Sequence, residues 1–234
     1  MATEALGIYM GRRAARKIRD HGWDADLFSL MLGASGGPKW LILGQLDRVI
    51  AAQLLAGGSR RLALLGSSIG SWRHACLATQ NPQATIQRLE EDYVGQVYPD
   101  KPTPLEVSTT SLQMLERVLG ESGIDAILHH PRLHTHIVTA RGRGLAASTS
   151  RAPLATGMGA AALGNAVSRE LLKLQFQRVV FHSGDRPDST LTLQDFQTAY
   201  RPLNRANLTA ALHASGAIPF VLTGERDIPG APAG

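Results

Sequence analysis

A serine set between two glycines, Gly66-Ser67-Ser68-Ile69-Gly70, is the feature of this chain best suited to chemistry. A serine hydroxyl is a weak nucleophile, so an acyl-transfer site built on one needs a base for its proton. It also needs donors for the oxyanion that forms on the attacked carbonyl. A Gly-x-Ser-x-Gly run carries weight only where a strand passes into a helix, because the glycines then relieve crowding at a strained turn. Here the apolar run from Leu62 to Leu65 precedes it, and Ser71 to Ala78, compatible with a helix, follows. Ser68 is therefore the predicted nucleophile, with Gly66 and Gly70 forming its elbow. About thirty residues earlier lies Gly33-Ala34-Ser35-Gly36-Gly37-Pro38-Lys39-Trp40. Its Gly36-Gly37 turn, between a predicted strand and a predicted helix, has backbone N–H groups suited to hold an oxyanion.

The same residues admit rival readings. Gly33 to Lys39 nearly matches a phosphate-binding loop, but Pro38 stands where glycine is needed and Trp40 replaces the magnesium-binding Ser or Thr. Lys39 is then a surface charge. Ser68, followed by Asp185, Asp188 or Asp195 and then His213, has the order of an α/β-hydrolase triad, which stays open although His213 falls in a predicted helix. His129, His130, His134 and His136 cluster within eight positions, and His134 and His136 would share one face of a strand. No carboxylate or cysteine between Leu128 and Thr139 completes a metal site, so satisfied or exposed histidines are expected. His74 and Cys76, six and eight residues past Ser68, read as packing residues, and Arg141-Gly142-Arg143 reads as a solvated turn.

The elements that must position these motifs follow from periodicity and breakers. A basic helix is expected over Leu6 to Arg19, stopped by His21-Gly22. A strand over Asp26 to Leu32 leads into the first glycine loop, and a helix over Trp40 to Leu55 follows. A second strand, Arg60 to Leu65, leads into the elbow. Two successive strand-turn-helix units imply parallel strands covered by helices. Beyond them the pattern predicts helices over Pro82 to Val97, Pro104 to Leu119 and Ile124 to His129, and a strand over Leu133 to Ala140. A turn at Arg141 to Gly144, a helix over Leu163 to Phe176, a strand over Arg178 to His182 and a helix over Leu203 to His213 complete the pattern before an irregular tail.

Composition narrows the class. With 234 residues, 44% hydrophobic and 18% charged, the chain reads as one globular α/β unit. Its single cysteine, Cys76, excludes an intrachain disulfide and a cysteine-cluster zinc site, which fits a reducing compartment. Neither a secretory signal nor a membrane span is legible, so a cytoplasmic location is expected. The net charge of +5 favours anionic partners. Without aromatic interleaving or a reading motif, nucleic acid is not an expected one.

Gly33 to Trp40 followed by Gly66 to Gly70 resembles the patatin-like phospholipases. Ala214-Ser215-Gly216-Ala217-Ile218-Pro219-Phe220 is similar to the small-residue-then-proline stretch that this family carries shortly before its last motif. The resemblance runs from about Phe28 to the C-terminus. It implies a three-layer α/β/α sandwich with a mainly parallel central sheet, and a Ser-Asp dyad without histidine. The implied activity is hydrolysis of lipid acyl esters, phospholipase A- or lysophospholipase-like, with no metal, calcium or other cofactor. Ser68 would attack the carbonyl and Gly36 and Gly37 would hold the oxyanion. The basic helix over Leu6 to Arg19 reads from its charge as a solvated face, with peripheral contact to an anionic membrane surface as the alternative reading.

The chain departs from that pattern twice. The family's Asp-Gly-Gly-Gly opening is here Ala34-Ser35-Gly36-Gly37, and the Asp-Gly-Gly or Asp-Gly-Ala that holds the dyad aspartate is not present. Asp227, in Asp-Ile-Pro, is the nearest carboxylate but lacks the following glycine. The expectation is one patatin-like domain over residues 1–234, C-terminally incomplete and with little or no esterase activity. A non-catalytic lipid-binding or regulatory relative is the alternative from a different class.

Overall fold

Helix α1 (Arg12–His21) ends at Gly22, whose φ of 76° and N–H bond to Ile18 O (2.8 Å) make the predicted stop. It starts at Arg12, because Gly11 is extended; Leu6, the expected start, lies outside the described residues of this computed structural model, which are 7–191 and 193–231. Strand β1 is shorter than predicted, Leu30–Gly33. The Asp24 carboxylate accepts from Asp26 N and closes a 3₁₀ turn over Ala25–Leu27. Asp26 in turn accepts from the amides of Ser59 and Arg60, both at 2.8 Å, and so ties this turn to the entry of β2 (Leu62–Ser67).

Between the two strands the predicted helix is present as a 3₁₀ turn (Gly37–Leu43), helix α2 (Gly44–Val49) and a π turn (Ile50–Leu55). Helix α3 (Ile69–Leu77) leaves the elbow, and α4 (Pro82–Val94) is capped by Asn81, whose Oδ1 accepts from Ala84 N at 3.2 Å. Helix α5 (Pro104–Leu128) merges two predicted helices across a kink at Gly120 (φ 57°, ψ 176°) and opens on a Thr103–Glu106 capping box.

Strand β3 (Leu133–Gly142) runs through residues read as a turn. Helix α6 (Arg151–Val167) begins well before the expected Leu163. Extended backbone at Ser168 (φ −157°, ψ 131°) ends it, and only a 3₁₀ turn and the one-turn helix α7 (Leu172–Gln175) follow. After β4 (Phe176–His182) comes β5 (Thr198–Pro202), a short edge strand ending in proline that periodicity did not reveal. Helix α8 covers Leu208–Gly216 and not Leu203–His213. Asn207 holds the preceding turn, its Oδ1 accepting from Asn204 N and its Nδ2 donating to Pro202 O and Pro229 O.

The five strands lie in the order β1-β2-β3-β4-β5, and every neighbouring pair is parallel except β3 with β4. Helices flank this mostly parallel sheet in a three-layer α/β/α sandwich. Helix α3 packs on β1, β2 and β3, with α5 and α8 beside it and α2 and α4 outside. Leu62 and Leu64 on β2 and Leu133 and Ile137 on β3 meet Ile69, Trp72, Leu77, Leu115 and Leu212 in the core. All nine residues of α3 are buried, so the elbow feeds a helix enclosed on every side. Among the described residues no helix is long and apolar enough to cross a membrane.

Candidate active site

Ser68 is the last residue before α3 and stands at φ 56°, ψ −134°, a region that non-glycine residues rarely enter. Its neighbours force this. A Cβ on Gly66 would stand 2.4 Å from Ser71 Cα, and a Cβ on Gly70 would stand 2.2 Å from the carbonyl oxygen of Gly33. Both glycines are therefore required where strand, turn and helix meet at van der Waals contact. The two serine hydroxyls beside Ser68 hold local backbone: Ser71 Oγ donates to Ser68 O (2.6 Å), and Ser35 Oγ lies 3.2 Å from Ser67 Oγ and 3.3 Å from Ser67 O.

Those contacts bring the first glycine loop onto the elbow. Gly33 abuts Gly70 and the ring of His74, and Ser35 touches Ser67, so the loop and the elbow form one unit at the carboxyl edge of β1 and β2. That edge is where open α/β sheets place their ligands. Gly36 caps the 3₁₀ turn that begins at Gly37 (φ 51°), and the amides of Gly36 and Gly37 donate to no acceptor among the described residues. Neither does the amide of Ile69 at the start of α3. Unused donors of this kind are the raw material of an oxyanion hole. Lys39 is exposed, and Trp40 is buried edge-on against Tyr93 (ring centroids 5.7 Å, 86°), which leaves no hydroxyl for a nucleotide-bound magnesium.

Ser215, in the small-residue stretch, has a role that spacing did not reveal. Its Oγ accepts from Ser68 N at 2.8 Å and donates to Val138 O on β3 at 2.6 Å. Trp72 fastens the same region, with Nε1 donating to Leu212 O (2.9 Å) and the indole packed against Gly216. Beneath the elbow, Arg73 makes a two-pronged bond to Asp47, both contacts 2.6 Å and Asp47 fully buried. His74 and Cys76 are packing residues as expected. Burial, then the nearby Arg73, pushes the His74 imidazole down to about 3, and burial first of all pushes the Cys76 thiol up to about 12.

A cavity of about 860 Å³ opens beside the elbow. Ser67, the residue before Ser68, and Ser215, which bonds the Ser68 amide, line it, as do Leu154, Met158, Phe176, Phe181 and Phe196; Ser68 is not itself in the wall. Asp227 also lines this cavity, exposed and at φ 53°. Among the described residues the Ser68 hydroxyl makes no hydrogen bond, to Asp227 or to any other group. His213 is buried, with Nδ1 2.6 Å from Glu225 Oε1, so its carboxylate neighbour is Glu225. The triad aspartates go elsewhere: Asp195 pairs with Arg178 (2.7 Å), Asp188 caps Thr190, and Asp185 lies at the other edge of the sheet.

Among the described residues, no group of three or more His, Cys, Asp or Glu is arranged to hold a metal ion. No protein-family model, curated protein or solved structure matches this chain.

Proposed function

We propose that this chain is a serine acyl hydrolase of the patatin-like kind, acting on lipid acyl esters. The observation that carries the reading is the backbone of Ser68: a serine at φ 56° between a buried strand and a buried helix, wedged there by Gly66 and Gly70. Such strain is kept where it serves a function, because it lifts the hydroxyl clear of the chain on both sides. In this mechanism Ser68 Oγ attacks the ester carbonyl, the amides of Gly36 and Gly37 take the oxyanion, and the alcohol leaves with the serine's proton; water then attacks the acyl-serine ester, releasing the carboxylic acid and returning a proton to Ser68 Oγ. The acyl chain lies in the cavity between α6 and the start of β4, whose apolar walls suit it. Helix α1, with Arg12, Arg13, Arg16, Lys17 and Arg19 and no buried residue, offers an anionic lipid surface a contact.

The unbonded Ser68 hydroxyl favours a second reading, a lipid-binding relative that keeps the elbow without a working base. Reaction with a fluorophosphonate, alongside hydrolysis of para-nitrophenyl esters, separates the two. A Ser68 that labels and turns over ester, with both lost in Ser68→Ala, is the expected result for the hydrolase. Labelling without turnover means an activated serine lacking its base, and no labelling selects the binding protein.

A further inference from the structure

A second cavity, of about 500 Å³, opens at the opposite edge of the sheet. Strands β2 and β3 begin there, and the antiparallel β4 ends there, where Ser183 N donates to Thr135 O and Ser183 Oγ accepts from Thr135 N, each at 2.9 Å. The elbow stands at the other end of β2, so the two cavities are separated by the length of that strand. Arg61 before β2, His129 and His130 at the end of α5, His134 on β3, and Asp185 and Arg186 after β4 line the second cavity.

These side chains form a set of unused donors. Among the described residues neither Arg61 nor Arg186 has a hydrogen bond or ion pair, and the one carboxylate on the wall, Asp185, has none either. His130 Nδ1 accepts from the amides of Arg132 (3.1 Å) and Leu133 (2.8 Å), which places the proton of the neutral ring on Nε2 and leaves it as a donor. The His134 ring makes no hydrogen bond among the described residues and lies against Gly184, where a Cβ would come within 3.0 Å of it. Two guanidinium groups against one carboxylate, with imidazole donors lining the same cavity, suit a tetrahedral anion approached from several sides. We propose that this cavity binds a phosphate group, carried by a soluble phosphomonoester or by a lipid headgroup. Arg61 and Arg186 clamp the phosphate oxygens, His130 Nε2–H donates to one of them, and His134 takes up a proton as the anion enters.

The charges facing the site set the pH dependence. Burial, then Arg61, holds His134 below its ordinary range against the pull of Asp188 and Asp185; burial, then Arg132, does the same for His130. The remaining neighbours are committed. His129 Nδ1 bonds Asp125 O (3.0 Å), and His136 is closed between His134 O (2.9 Å) and Asp188 N (3.2 Å). His182 stacks on His136, and the Asp188 carboxylate is engaged by Thr190. An anion favours the protonated His134 ring, so phosphate binding takes up a proton there and tightens as the pH falls through the ordinary imidazole range.

Inorganic phosphate added to the full chain, followed through the imidazole ¹H–¹⁵N signals, tests this. Saturable shifts at His130 and His134 with His74 and His213 unmoved are expected, with affinity about tenfold weaker in Arg61→Gln/Arg186→Gln. Asp185→Asn should bind more tightly. Competition by phosphatidic acid vesicles for the bound phosphate then assigns the lipid source, and its absence the soluble one. Unmoved His130 and His134 signals through the millimolar range, equal affinity in the double glutamine variant, or weaker binding in Asp185→Asn, the mark of a cation site, would each overturn the proposal.

Discussion

The hydroxyl of Ser215 lies between the amide of Ser68 and the carbonyl of Val138, 2.8 Å from one and 2.6 Å from the other. It joins a strained turn to the adjacent strand β3 across 147 positions of sequence. A residue at φ 56° persists only when its surroundings hold it there, and this bond is one of the few polar contacts that do. Replacing Ser215 with Ala leaves the Ser68 N–H and the Val138 C=O without that partner. A loss of about 1–3 kcal/mol in chemical denaturation is expected. The reaction of Ser68 with a fluorophosphonate should slow as well, whereas Ser215→Thr, which keeps the hydroxyl, should recover most of both.

Gly70 meets backbone, not a side chain that could turn away. A methyl group there stands 2.2 Å from Gly33 O and 2.8 Å from Ala34 O, so the glycine loop has to move off the elbow. Gly70→Ala should cost about 3 kcal/mol, the upper end for overpacking, and lower the melting temperature by about 6–12 °C. Gly36→Ala, which meets only the Lys39 Cβ at 4.0 Å, should leave the melting temperature within about 2 °C of the parent.

The Asp47–Arg73 pair fastens α2 to α3 with both partners buried. Removing one charge strands the other in a dry interior, so Asp47→Asn should destabilise by about 3–5 kcal/mol. The double variant Asp47→Leu/Arg73→Met should be more stable than either single change, as read from urea midpoints. A double variant no better than the singles would show that the pair is not coupled.

His74 and His136 are buried neutral, pushed down to about 3 and about 4 from an ordinary 6.5, in both cases first by burial. Their folded values lie below the unfolded ones, so the unfolded chain binds more protons at acid pH. Stability is therefore full above about pH 6.5 and falls as the pH drops towards 4 and 3, by about 1.4 kcal/mol per pH unit for each ring. Urea midpoints measured from pH 7 to pH 4 should fall less steeply in His74→Leu than in the parent. Identical slopes would mean that His74 is not buried neutral.

What the sequence alone determined is local. The elbow, the glycine loop, the stop at Gly22 and the alternation of strands with helices each rest on residues a few positions apart, whose steric limits act before any tertiary contact forms. The α/β class followed from them, and so did Cys76 as a packing residue. Tertiary structure decided what depends on distant partners. Strand β5 owes its existence to pairing with β4, since Thr198 to Pro202, half-buried up to Arg201 and exposed at Pro202, shows no apolar alternation of its own. The antiparallel turn of β4 came from the long course through α6 and α7, which no short motif announces. Asn207 moved the start of α8 by bonding to Pro229, and Glu225 reached His213 from a loop that follows it. Only folding could place Ser215 on Ser68, because a hydrogen bond across 147 residues leaves no periodicity to read. The histidines near residue 130 carried the same lesson: as a string they read as satisfied or exposed without saying which, and the sheet set His136 among bonded neighbours and left His134 on a cavity wall with Arg61 and Arg186.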